Sequence, residues 1–143
     1  MTDYKFTQDW FHWAPEVWTQ LIPMLPEGRR TFLEIGSFEG RSTVWITENM
    51  MQDDDWLVCI DTWKGGEEHD KEDMGSVESR FDHNITILND KYPYRCISKF
   101  KGTSTKELAR EIHEEASRVD FIYIDGSHIA KDVLTDACMA WPQ

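Results

Sequence analysis

The sequence predicts an α/β fold: a parallel sheet of about four strands with helices on both faces. Three observations carry that expectation. The runs Thr31-Phe32-Leu33-Glu34-Ile35 and Trp56-Leu57-Val58-Cys59-Ile60 are nearly continuous in apolar residues rather than alternating, as in strands buried on both faces. Amphipathic stretches of helical spacing stand between successive runs, which makes them crossovers between parallel neighbours. Each run also closes on a glycine or an acid, namely Gly36, Asp61, Gly102 and Asp125.

Taken in order, the segment from Phe6 to Leu25 carries Trp10, Phe11, Trp13, Trp18, Leu21 and Ile22, interrupted by Pro15 and Pro23. It reads as short helical turns laid across the sheet, an N-terminal cover over 1–28 whose aromatics pack a core edge or, alternatively, touch substrate. Pro26-Glu27-Gly28 punctuates the entry to the first strand. Val44, Trp45 and Met51 mark a helix from Arg41 to Met51, and Asp53-Asp54-Asp55 behind it reads as solvated. After the second strand the acidic stretch from Glu67 to Asp73 has no period, whereas Val77, Phe81 and Ile85 line one face of a helix, so residues 64–88 form a lid-like insertion. A third strand, roughly Arg95 to Phe100, leads to Lys101-Gly102-Thr103-Ser104; Leu108, Ile112 and Ala116 define the next helix, with Ser104 or Thr105 near its N-cap. Val119-Asp120-Phe121-Ile122-Tyr123-Ile124 is the fourth strand, and Val133, Ala137 and Trp141 stripe a last helix. The 143 residues suit one domain.

Composition narrows the function. Fifteen basic residues against 27 acidic ones give a net charge of −12, which disfavours a surface that tracks nucleic-acid phosphates. Cys59, Cys96 and Cys138 are odd in number and widely spaced, as expected of thiols in a reducing cytoplasm rather than of a disulfide framework or a zinc site. No stretch is apolar for the length of about 20 residues that a membrane-spanning helix needs, and Met1-Thr2-Asp3-Tyr4-Lys5 does not open a signal peptide. A soluble cytoplasmic protein is expected.

The turn Glu34-Ile35-Gly36-Ser37-Phe38-Glu39-Gly40 follows the first strand and Arg41-Ser42-Thr43 opens a helix, so backbone N–H groups point toward the turn, where an anion can sit. Asp61 closes the second strand, where an acid accepts hydrogen bonds from both hydroxyls of a ribose. Together they describe a pocket for an adenosine-containing cofactor. His12, His69, His83 and His113 lack ligand-like spacing, and Asp120, Asp132 and Asp136 read as solvent-facing, with Asp136 able to support the site from behind.

The segments Phe32–Thr43, Cys59-Ile60-Asp61-Thr62-Trp63 and Asp120–His128, the last ending in Asp125-Gly126-Ser127-His128, together resemble class I S-adenosylmethionine-dependent methyltransferases, in particular the small-molecule O-methyltransferase branch with the catechol and caffeoyl-CoA enzymes. The resemblance runs from about Phe6 to Trp141 and implies a Rossmann-like sheet in the order 3-2-1-4. It implies that Gly36, Ser37 and Gly40 lie under the methionine part of S-adenosylmethionine, that Glu34 supports the turn or the amino group, and that Ser42 binds the carboxylate. Asp61 would hold the ribose, Thr62 or Trp63 would flank the adenine, and Ser104, after Gly102 and Thr103, would meet its edge. Helix capping alone is the other reading of Ser42 and Ser104. Asp125 would border the cofactor and, as in metal-dependent relatives, offer a ligand to a divalent cation. His128 stands where those relatives place a lysine base, and an imidazole accepts a proton near neutrality.

The resembling family has seven strands, and the pattern here ends after the helix that follows the fourth. One acid is a poor cation site, so the expectation is cofactor binding with metal dependence and turnover in question. An apolar fourth-strand edge would tend to pair, which leads to two expectations: a homo-oligomer through that edge, or a fragment of a longer gene product. The functional expectation is O-methylation of a small hydroxylated metabolite or sugar, without nucleic-acid or membrane partners. The alternatives are a non-catalytic S-adenosylmethionine- or nucleoside-binding module and a nicotinamide-binding domain, the last lacking the full Gly-x-Gly-x-x-Gly turn.

Overall fold

The computed structural model describes residues 3–65, 74–110 and 118–141. Strands β1 (Thr31–Ile35), β2 (Trp56–Asp61), β3 (Cys96–Lys101) and β4 (Phe121–Ile124) form one sheet in the order β3-β2-β1-β4. All three pairings are parallel, with Glu34 beside both Cys59 and Tyr123 and Asp61 beside Lys101. Helix α1 (Ala14–Thr19) and a 3-10 turn (Ile22–Met24) precede the sheet. The crossovers carry α2 (Arg41–Asn49), α3 (Met74–Lys91) and α4 (Ser104–Arg110), and α5 (Ala130–Ala140) follows β4. Fold class and strand order are those expected.

The two central strands explain their own composition. Phe32, Leu57 and Cys59 point to a layer with Ile46 of α2 and Met50 just after it, Val77 and Phe81 of α3, and Trp18 of α1. Leu33, Ile35, Val58 and Ile60 point the other way, to Leu108 of α4 and Ala140 of α5. Burying each such large side chain contributes about 1.5–3 kcal/mol, which is why β1 and β2 need apolar residues on both faces.

The strand entries are clamped by acids that patterning alone placed in water. Asp55, fully buried, accepts from the Arg30 amide at 2.8 Å, from Arg30 Nε at 3.0 Å and from the Gln52 amide at 2.7 Å. Because Thr31 and Trp56 are register partners, the residues before them meet, and a carboxylate out of water must find a guanidinium and amides. The expectation that Asp53-Asp54-Asp55 is solvated therefore fails at Asp55. It fails likewise for Asp120, whose largely buried carboxylate accepts from the Thr31 amide at 3.0 Å and pairs with Arg118 at 2.8 Å.

Residues 66–73 of the expected lid lie outside the described residues, as do Ile112, His113 and Ala116 of the helix expected after β3. The helical part of the 64–88 segment is core: Val77, Phe81 and Leu88 of α3 are fully buried. The N-terminal aromatics divide. Phe11 and Trp18 are buried, with the Trp18 ring edge-on to Phe121 at 5.3 Å and to Tyr123 at 4.6 Å, while Trp10 and Trp13 are about half exposed.

The last helix reverses its expected stripe. α5 rests on β4 and α4 at the end of the sheet, so one side of it meets protein. That side carries Asp136 and Ala140, whereas Val133, Leu134, Ala137 and Trp141 are exposed. Among the described residues β4 has no strand on its outer edge. No helix among them is long and apolar enough to cross a membrane.

Candidate functional site

A cavity of about 840 Å³ lies along the carboxyl ends of the strands, where parallel sheets bind their ligands. Gly36 from the end of β1, Asp61 and Thr62 from β2, Gly102, Thr103 and Ser104 from β3, and Asp125 and His128 from β4 all line it. Eight of the expected site residues thus share one space. Glu34, Ser37, Gly40, Ser42 and Trp63 do not line it and are buried.

Asp61 shapes the near wall. Its Oδ2 accepts from the Phe38 amide at 2.8 Å and its Oδ1 from the Trp63 amide at 2.7 Å. Phe38 and Trp63 both sit in the left-handed region, at φ 48° and 49°, which costs a non-glycine residue about 1–2 kcal/mol. One carboxylate holds both strained residues, and the Trp63 indole N–H closes the ring by donating to Phe38 O at 2.8 Å. Each Asp61 oxygen keeps a further lone pair for a ligand hydroxyl. Of the two residues expected to flank an adenine, Thr62 lines the cavity, while the Trp63 ring packs on Phe81 at 4.8 Å, with the Lys99 ammonium 4.6 Å from its centroid.

Beneath the turn, Glu34 is fully buried and its Oε2 accepts from Thr43 Oγ1. Its Oε1 and the Ser37 hydroxyl are buried without a hydrogen-bond partner among the described residues. Burial raises the Glu34 pKa above its ordinary 4.5, against the lowering pull of the Ser42 and Thr43 hydroxyls. A raised folded-state pKa means that stability is fully present below the ordinary value and is lost as pH rises through the folded one. Glu34→Gln, neutral at every pH and still able to accept from Thr43, is therefore expected to unfold in urea at a higher midpoint than the parent at pH 8. The gap should close as pH falls toward 4.5. Urea titrations across that range check this, and a gap that does not vary with pH would show that Glu34 is not a buried acid under strain.

Glu39, in the same turn, is a structural anchor that patterning did not single out. Buried at 2% exposure, it accepts from the Thr7 amide at 2.6 Å and from Thr7 Oγ1 at 2.7 Å and pairs with Arg80 of α3, so it ties the N-terminal segment and α3 to the glycine turn. Gly40 caps α2 without a side-chain bond, so the first-turn amides have no capping side chain among the described residues.

The far wall is built by β4 and α5. Tyr123 donates to Asp125 Oδ2 at 2.8 Å, and His128 Nε2 lies 3.8 Å from Asp125 Oδ1. Burial, and then the Asp125 carboxylate, hold the Tyr123 phenol well above its ordinary pKa, so it stays a donor. Asp136, expected mostly in solvent, is 3% exposed and accepts from Ser104 Oγ; Asp132 accepts from Ser127 Oγ at 2.9 Å. Burial raises the Asp136 pKa, and nearby Asp132 adds to the rise. Tyr123, Phe38, Asp132, Trp10 and Trp13 also line the cavity. The signal for the α5 acids was their four-residue spacing on a helix that opens just after Asp125, which puts both on one face.

A divalent cation does not fit the described donors. Asp125 stands alone with a phenol donating to it, and no group of three or more His, Cys, Asp or Glu among the described residues could hold a metal.

Sheet order, glycine turn and strand-end cavity define a class I methyltransferase-like domain. Residues 33–143 match the Methyltransf_24 family, described as a methyltransferase domain, and the chain belongs to that family. No curated protein matches it. Among solved structures the chain is similar to an O-methyltransferase from Bacillus cereus, crystallised in complex with SAH, at a TM-score of 0.52 and 20% identity over 87% of this chain. It spans about half of that protein, 47% of its length.

Proposed function

We propose that the cavity binds S-adenosylmethionine and serves the O-methylation of a small hydroxylated acceptor, a metabolite or a sugar. What carries the reading is one space that gathers Gly36, Asp61, Ser104 and Asp125 from four strand ends. In this reading Asp61 takes the ribose hydroxyls on its remaining lone pairs. Gly36 and Thr62 border the nucleoside and methionine moieties, with Gly102, Thr103 and Ser104 at the adenine edge. The positive end of α2 behind Gly40 favours the methionine carboxylate through its field, and Ser37, Ser42 and Glu34, buried beneath the turn, support it from behind.

The cofactor supplies an activated methyl group when bound. The chain's part is to align an acceptor oxygen beside it and to receive its proton. His128, at the rim and 73% exposed, is the proton acceptor, and the Asp125 carboxylate 3.8 Å away favours the imidazolium that forms. A module that binds the cofactor without turnover is the second reading, favoured by the lone acid at Asp125.

Calorimetry with S-adenosylmethionine, S-adenosylhomocysteine and NAD tests the assignment. The two adenosyl compounds are expected to bind and NAD is not; NAD binding alone would overturn the proposal. His128→Ala is expected to spare that binding and to abolish transfer to a panel of phenols and sugars. Unaltered transfer would remove His128 from the chemistry.

A further inference from the structure

The cavity's carboxylates differ from those elsewhere in the molecule. Elsewhere in the molecule several acids meet cations: Asp55 with Arg30, Glu39 with Arg80, Glu78 with Lys99 and Lys101, Asp120 with Arg118. In the cavity Asp61, Asp125, Asp132 and Asp136 are met by neutral donors: two backbone amides, the Tyr123 phenol, and the Ser127 and Ser104 hydroxyls. Among the described residues no lysine or arginine lines the space or pairs with them, and only His128 can bring a positive charge. Asp132 and Asp136 are also one turn apart on α5, a like-charge spacing that costs a helix stability when nothing cationic lies between. Burial raises the Asp136 pKa, and the Asp132 charge adds to the rise.

We infer that the acceptor is a hydroxylated compound carrying a cationic nitrogen, such as a protonated amine, held at the β4 and α5 wall by Asp132, with Asp136 behind it. This rests on the methyltransferase reading. S-adenosylmethionine, with a sulfonium, an ammonium and a carboxylate, brings one net positive charge, which leaves most of the negative charge of the cavity unanswered. Of the cavity's acids, Asp132 and Asp136 stand on α5 rather than at the strand ends assigned to the cofactor, and Asp132 is the more exposed of the two. The lining also holds Trp10 and Trp13, about half exposed, and an indole face is an apolar surface that attracts a cation.

Three phenols that differ chiefly in side-chain charge read this directly: tyramine, 4-ethylphenol and 4-hydroxyphenylacetate, titrated calorimetrically into the full chain with and without saturating S-adenosylhomocysteine. Tyramine is expected to bind about tenfold more tightly than the neutral phenol at low ionic strength, with the anion weakest and the preference shrinking as salt is added. Asp132→Asn should remove most of the preference, and its melting curve reports whether the variant is folded. If it is not, the ranking and salt dependence of the unaltered chain still decide. Equal or tighter binding of the neutral or anionic phenol, or no tyramine heat at millimolar concentration, overturns the inference. Failure of S-adenosylhomocysteine to bind while the ranking persists would overturn the methyltransferase reading instead.

Discussion

Gly36→Ala is expected to cost about 3–5 kcal/mol and to leave a chain that is largely unfolded or insoluble, since a domain of this kind has only about 5–15 kcal/mol in total. Gly36 adopts φ 90°, a left-handed conformation in which any Cβ is strained. A Cβ there would also lie 2.2 Å from the Asp125 carbonyl oxygen and 2.5 Å from the Gly126 amide nitrogen. Those neighbours are backbone, so no side chain can swing aside, and the end of β4 would have to leave β1. Its amide donates to Ile60 O at 2.8 Å, while the Asp125 amide donates to Ile35 O at 2.7 Å, so the carboxyl ends of three strands are joined within two residues. Urea unfolding of Gly36→Ala beside the parent checks this, and a loss below about 1 kcal/mol would mean that the β1 and β4 ends are not packed as described.

Asp61→Ala is expected to weaken S-adenosylhomocysteine binding by about a hundredfold or more, because two hydrogen bonds to a charged acceptor contribute about 1.5–3 kcal/mol each. A second loss comes with it. The Phe38 and Trp63 amides lose their acceptor, and two left-handed residues lose the group that holds them. The stability cost should be about 2–4 kcal/mol. Asp61→Asn separates the effects: it keeps the volume but turns an amide donor toward one of the two N–H groups, so the turn relaxes even where a ribose could still be met. Calorimetry and urea unfolding on both variants read the two quantities independently. Unchanged affinity in Asp61→Ala would remove the acid from the nucleoside site.

Much of the fold was legible because the central strands are buried on both faces. Nothing but a near-continuous apolar run suits that environment, so Phe32, Leu33, Leu57 and Val58 declare it without reference to the rest of the chain. Residues at the edges of elements were less legible. Asp55 and Asp120 look like loop acids in one dimension and become buried clamps only because parallel pairing brings them beside Arg30 and the Thr31 amide. The stripe of α5 misled for a related reason. Periodicity marks an apolar face but not what covers it, and at the end of the sheet that face looks outward.

By itself the sequence determined the α/β class, the parallel pairing and the positions at which chemistry can stand, because those follow from side-chain period and from glycine and acid at strand ends; the order 3-2-1-4 was implied by the family resemblance. Tertiary structure alone decided which of those residues share a space. Trp63 and Ser42 are as close in sequence to the glycine turn and Asp61 as the lining residues are, yet they are buried away from the cavity. Asp132 and Asp136, distant in sequence from that turn, enter it. The physical reason is that backbone pairing sets where strand ends lie, while the direction of each side chain beyond them is set by close packing and by the hydrogen bonds that buried polar groups must find.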